Sequence, residues 1–165
     1  MSRSGPILIA FDGTPAAEHA IREGGPLLAG RAAVVLVVWK QGLGFELVAL
    51  PVSEIGLPPA AVDVDTALDV DRRLLEAAES QARRGVSIAR EAGLDPQPLV
   101  VADTPDTAVH ETILRVADQR DAAAILIGGH GHGPIAEMLL GGTTRGVLRQ
   151  ARVPVVVVRR AESGR

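Results

Sequence analysis

Short apolar runs that stop abruptly at a glycine or a polar residue, separated by stretches of helical period, constrain this chain more than any other feature. Residues 6–11 read Pro-Ile-Leu-Ile-Ala-Phe and end at Asp12-Gly13-Thr14-Pro15. A continuous apolar run of this length suits a strand buried on both faces. Residues 32–39 repeat the pattern with dense valine, and 99–102, 123–127 and 154–158 supply three further runs. Between them lie candidate helices. Thr14 and Pro15 offer an N-cap and a first helical residue, with Ala17, Ala20, Ile21, Leu27 and Leu28 as an apolar stripe. Residues 66–92 carry Leu74, Ala78, Ala82, Val86 and Ala89 at near-helical spacing before Gly93. Residues 107–118 and 142–150 form two more helical stretches.

Strand alternating with helix requires crossover connections, and crossovers make neighbouring strands parallel. The expectation is one α/β domain over residues 1–165, with its core at about 5–160 and a five-stranded parallel sheet in the order 3-2-1-4-5 covered by helices on both faces. Residues 41–65 show no sustained period and are expected to be a long excursion, and residues 161–165 a frayed tail.

Composition narrows the function classes. A formal net charge of -3 leaves no surplus of positive charge for a phosphate backbone, so no nucleic acid partner is expected. Phe11, Trp39 and Phe45 are the only aromatic residues, too few for a base-stacking platform. The absence of cysteine excludes disulfides and thiolate sites and fits a reducing compartment. No signal-peptide pattern is visible at the N-terminus, and no apolar run approaches the ~20 residues needed to span a bilayer. The expected location is cytoplasmic, without membrane association.

In a sheet of this order, ligands bind outside the carboxyl ends of the strands, where the chain reverses its winding between the first and fourth strands. Two loops meet there: Asp12-Gly13-Thr14, and the glycine-rich stretch from Gly128 through Gly131 and Gly133. Glycine allows backbone N–H groups to approach an anion closely, and a helix starting near Gly142 adds the positive end of its dipole. Gly141-Gly142-Thr143-Thr144 contributes two hydroxyls. Asp12 on its own is equally readable as the cap of a turn. His130 and His132 lack the companions of a metal site, and no metal ligand is assigned. Arg145, Arg149 and Arg152 recur at helical spacing and read as a solvated face, and Trp39 reads as a packed strand-end residue.

Gly128-x-x-Gly131, nine residues and then Gly141 resembles the nucleotide-binding motif of the ATP-binding universal stress proteins. The opening strand with Asp12, the valine-rich second strand and the closing run of valines resemble that family too, over residues 5–160. The resemblance implies a Rossmann-like sheet of the adenine nucleotide alpha hydrolase kind. It implies that Ala10, Asp12 and the backbone of Val38 hold the adenine and ribose, and that Gly128, Gly131 and Gly141 cradle phosphates. Gly133, Gly142, Thr143 and Thr144 complete the candidate site. The implied ligand is ATP, with AMP and cyclic AMP as alternatives, and Mg2+ or Mn2+ bridging the phosphates. It further implies a homodimer paired through the strand between Pro154 and Val158, where an edge of four valines is an unprotected template. The chain departs from the family at Gly142, where Ser or Thr is usual, and at Asp103, where glycine is common. A lost hydroxyl at Gly142 is worth about 10- to 100-fold in phosphate affinity unless Thr143 substitutes.

Catalysis has little support. Lys40 is the only lysine, so a Walker A loop cannot be built, and neither a dinucleotide Gly-x-Gly-x-x-Gly nor a Gly-x-Ser-x-Gly elbow is present. The expectation is a nucleotide-binding stress-response module with slow or no hydrolysis; the alternative is a nucleotide-free homodimeric scaffold or interaction protein. An adenylyl-transferring enzyme ranks last, because no His-x-x-His motif stands near the first strand.

Overall fold

The computed structural model describes residues 4–43, 64–129 and 141–159. In chain order these form β1 (Ile7–Ala10), α1 (Pro15–Gly24), a 3-10 turn (Pro26–Leu28), β2 (Ala32–Lys40), α2 (Val64–Glu91), β3 (Asp95–Asp103), α3 (Val109–Gln119), β4 (Ala124–Gly129), α4 (Gly142–Gln150) and β5 (Val155–Arg159). The strands make one sheet in the order β3-β2-β1-β4-β5, with every pairing parallel. Strand β1 lies between β2 and β4, Ile7 opposing Ala33 on one side and Ala124 on the other.

Alternation along the strands sends successive side chains to opposite faces. Ile7, Ile9, Val35, Val37 and Leu126 pack against α1 and α2 through Ala17, Ile21, Ala78 and Ala82. Leu8, Val34, Leu36, Ile125 and Ile127 pack against α3 and α4 through Ile113, Val116 and Val147. Leu8, Ile125 and Leu126 are completely buried. Each such aliphatic side chain contributes about 1.5–3 kcal/mol on burial, so the loops beyond β1 and β4 are mounted on the most firmly held part of the sheet.

The structure moves several expected boundaries. Strand β3 begins at Asp95, not at residue 99, despite Pro96 and Pro98. The N–H of Asp95 bonds to the carbonyl of Arg31 on the β2 side, so the alternate positions 96 and 98 direct their missing donors to the open edge. Proline is tolerated there and not inside a sheet. Leu27 leaves the expected stripe, because α1 ends at Gly24 and Leu27 stands 80% exposed on the 3-10 turn. Helix α2 occupies the end of the expected excursion from Val64 onward. Trp39 packs with the α1–α2 face. Among the described residues no helix is long and apolar enough to cross a membrane.

Candidate functional site

Beyond the carboxyl ends of β1, β2 and β4 the structure opens a crevice of about 250 Å³, with walls of Leu36 and Val38 from β2, Val109 and Ile113 from α3, and Ala10 and Ile127. Its polar end is formed by Asp12, Thr14, Gly128 and the first turn of α4 from Gly141 to Thr144. Of the expected site residues, Ala10, Asp12, Val38, Gly128, Gly141, Gly142, Thr143 and Thr144 are brought together. Gly131 and Gly133, with His130 and His132, lie outside the described residues.

Local chemistry explains how each group is held. Strand β1 ends at Ala10, and Gly13 takes φ +75, a left-handed conformation that turns the chain toward α1 and that side chains disfavour. Asp12 Oδ1 accepts hydrogen bonds from the Thr14 N–H at 3.0 Å and the Thr14 hydroxyl at 2.6 Å. The Thr14 oxygen in turn accepts from the Ala17 N–H at 3.2 Å, capping α1. Asp12 therefore braces the turn, and it stands exposed on the crevice.

Gly128 and Thr144 also have structural roles within the fold. A Cβ on Gly128 would sit 2.7 Å from the Ala16 carbonyl oxygen and 3.1 Å from the Ala17 nitrogen. Glycine at this position is accordingly explained by the close approach of α1 to β4. Thr144 is buried, and its hydroxyl donates to the Gly128 carbonyl at 3.1 Å. That hydroxyl ties α4 to β4 and is spent within the protein, so Thr143 is the half-buried hydroxyl left on the rim.

The N-terminus of α4 has a different electrostatic character from that of α1. Gly141 provides no side-chain cap, and no acidic residue occupies the first turn. The first intrahelical bond is Arg145 N–H to Gly141 oxygen, at 3.0 Å, which leaves the N–H groups of Gly142, Thr143 and Thr144 without intrahelical acceptors. By contrast α1 carries the Thr14 cap and Glu18. Asp12 is the one ionisable side chain among the described lining residues. Among the described residues no group of three His, Asp or Glu is placed to hold a metal.

Leu36, Val109, Ile113 and Ile127 were not named from the sequence as site residues. The signal for them exists: Leu36 and Val38 share one face of β2 at a spacing of two, and Val109 and Ile113 share one face of α3 at a spacing of four. Nothing in the sequence says that those two faces meet.

The sequence profile of the family described as "Universal stress protein family" matches residues 4–159. Universal stress protein Rv2005c of Mycobacterium tuberculosis (strain ATCC 25618 / H37Rv) is 31% identical over 156 residues, covering 94% of this chain and 46% of that protein. The chain thus spans about half the length of that relative. Among solved structures, MJ0577 superposes with a TM-score of 0.67 at 22% identity, over 98% of this chain and 99% of its own. A universal stress protein in complex with cAMP has a TM-score of 0.59 at 18% identity, covering 94% and 96% of the two chains. The Archaeoglobus fulgidus universal stress protein in complex with dAMP has a TM-score of 0.58 at 22% identity, covering 93% and 96%. These likenesses agree with the five-stranded order and the helical layers described above. The profile match over nearly the whole chain settles the family: this chain belongs to the universal stress proteins.

Proposed function

We propose that the crevice binds an adenine nucleotide, with ATP as the preferred ligand, and that the chain acts as a stress-response regulatory module rather than as an enzyme. The observation that carries this reading is the juxtaposition of an apolar slot with a helix N-terminus that no side chain among the described residues caps, at its polar end. A flat, apolar base fits between Val38 and Val109, and phosphate oxygens fit the N–H groups at the start of α4. Two similar folds are in complex with cAMP and dAMP, which supports an adenine nucleotide as the ligand. Calorimetric titration of the purified chain with ATP, AMP and cyclic AMP is expected to show saturable binding of at least one of them; an absence of heat at millimolar ligand with all three overturns the reading.

The only charge on the described walls is the carboxylate of Asp12, so neutralisation of a triphosphate falls to a divalent cation brought with it. Mg2+ or Mn2+ is therefore expected to tighten ATP binding and to leave cyclic AMP binding nearly unchanged, as titrations with and without EDTA will show.

Homodimerisation through β5 is part of the same proposal. The two edges of the sheet are unequal: β3 places the donor-less nitrogens of Pro96 and Pro98 along its unpaired edge, whereas β5 presents valines and an intact backbone. The Ile125 N–H bonds to the Pro154 carbonyl, which directs the N–H of Val157 away from β4. Light scattering is expected to give about twice 17.2 kDa for the native chain and a single-chain mass for Val157→Pro. A native mass near 17.2 kDa contradicts the pairing.

A further inference from the structure

We propose that Lys40, the chain's only lysine, is a positioning residue that sets the width of the crevice by clasping the start of α3 to the end of β2. The inference rests on reading the crevice as an adenine nucleotide site and assigns a residue that does not line it. Val34, Leu36, Val38 and Lys40 alternate along one face of β2, so Lys40 is the polar end of the row whose middle members form one wall. The facing wall is Val109 and Ile113 of α3.

Helix α3 begins without a side-chain cap at Ala108. Its start is fixed from outside. The Lys40 ammonium donates to the Thr104 carbonyl at 2.9 Å and to the Thr107 carbonyl, which spans the whole β3–α3 loop. Lys40 stands opposite Asp103 in the β2–β3 register, and its ammonium lies 3.9 Å from Asp103 Oδ2. That same Oδ2 accepts the hydroxyl of Thr112, which is completely buried next to Ile113. Asp103 Oδ1 accepts the Thr104 N–H at 3.2 Å, and the hydroxyls of Thr104 and Thr107 bond to each other at 2.8 Å.

One cation and one carboxylate thus join β2, β3, the loop and α3 into a single unit. Hydrogen bonds to charged groups are the stronger ones, and the inner end of this network is shielded from water, with the Asp103 side chain 8% exposed and Thr112 fully buried. Removal of the Lys40 ammonium frees two carbonyls and leaves the largely buried Asp103 carboxylate without its cation, held only by Thr112 and the Thr104 N–H. The start of α3 then loosens, and with it the wall made by Val109 and Ile113. The device also accounts for aspartate at position 103: a glycine there could accept neither Thr112 nor Lys40.

The test uses the full chain as wild type, Lys40→Met, Lys40→Arg and Thr112→Val, titrated calorimetrically with adenosine and with ATP plus Mg2+, and followed without ligand by amide hydrogen exchange. Lys40→Met keeps the apolar stem and is expected to weaken adenosine and ATP alike, by about tenfold. Thr112→Val is expected to shift both in the same direction, and Lys40→Arg to retain most of the affinity. Exchange at residues 107–113 is expected to accelerate in Lys40→Met while β1 and β4 stay protected. A loss confined to ATP overturns the proposal, because it marks direct attraction between the ammonium and phosphate. Unchanged affinity in folded Lys40→Met, or unchanged exchange at 107–113, overturns it as well. If Lys40→Met does not fold, Thr112→Val decides on the same readouts. If the wild type binds neither ligand, the nucleotide reading fails, and the clasp is judged by exchange alone.

Discussion

Gly128→Ala is expected to lower the midpoint of thermal unfolding by about 3–10 °C and to weaken adenine nucleotide binding by at least about tenfold. The added methyl would meet the Ala16 carbonyl carbon and oxygen at 2.9 and 2.7 Å, and both belong to backbone that cannot rotate aside. Overpacking of this kind costs about 1–3 kcal/mol, and a chain of this size loses about 2–4 °C per kcal/mol. The stability loss reaches the site because α1 must retreat from β4 to admit the methyl. Asp12 and Thr14, joined through the turn that opens α1, move with it. Thermal unfolding followed by circular dichroism, with calorimetry on the same protein, measures both effects. An unchanged midpoint would show that α1 accommodates the methyl without leaving β4.

Gly142→Ser is expected to act in the opposite direction, tightening ATP and AMP binding by about tenfold with the unfolding midpoint unchanged or slightly raised. A Cβ on Gly142 meets nothing within 4 Å, and the residue does not adopt a left-handed conformation. Serine is therefore accommodated without strain, and it is a better helix residue than glycine by a few tenths of a kcal/mol or more. Its hydroxyl would stand beside the N–H groups that open α4 without intrahelical acceptors, where Thr144 has already committed its own to Gly128. A hydrogen bond to a charged phosphate contributes about 1.5–3 kcal/mol, and the lower end applies because position 142 is exposed. Adenosine, which has no phosphate, is expected to bind Gly142→Ser and wild type equally. An equal gain for adenosine, or no gain for ATP, would mean that no phosphate oxygen comes near the start of α4.

Much of the architecture was legible in residue order. The runs at 6–11, 32–39 and 123–127 became three adjacent central strands, because strands covered on both faces must be apolar at every position. Thr14-Pro15 marked the start of α1 through a cap whose chemistry is local. Edges were harder to read. The sequence of β3 looks broken by Pro96 and Pro98 until its place at the rim is known, since proline is harmful only where a neighbouring strand needs its donor.

The site divides along the same line. Asp12, Gly141, Thr143 and Gly142 could be picked out because short-range geometry, a strand end or a helix start, is written in adjacent residues. What the sequence by itself determined was an alternating α/β chain with a polar, glycine-lined end. Tertiary structure alone decided that Gly128 makes room for α1, that Thr144 bonds to Gly128, and that Lys40 holds the loop before α3. Those outcomes depend on residues 16 to 112 positions apart meeting in space, and such distances are set by how the crossovers stack the helices on the sheet.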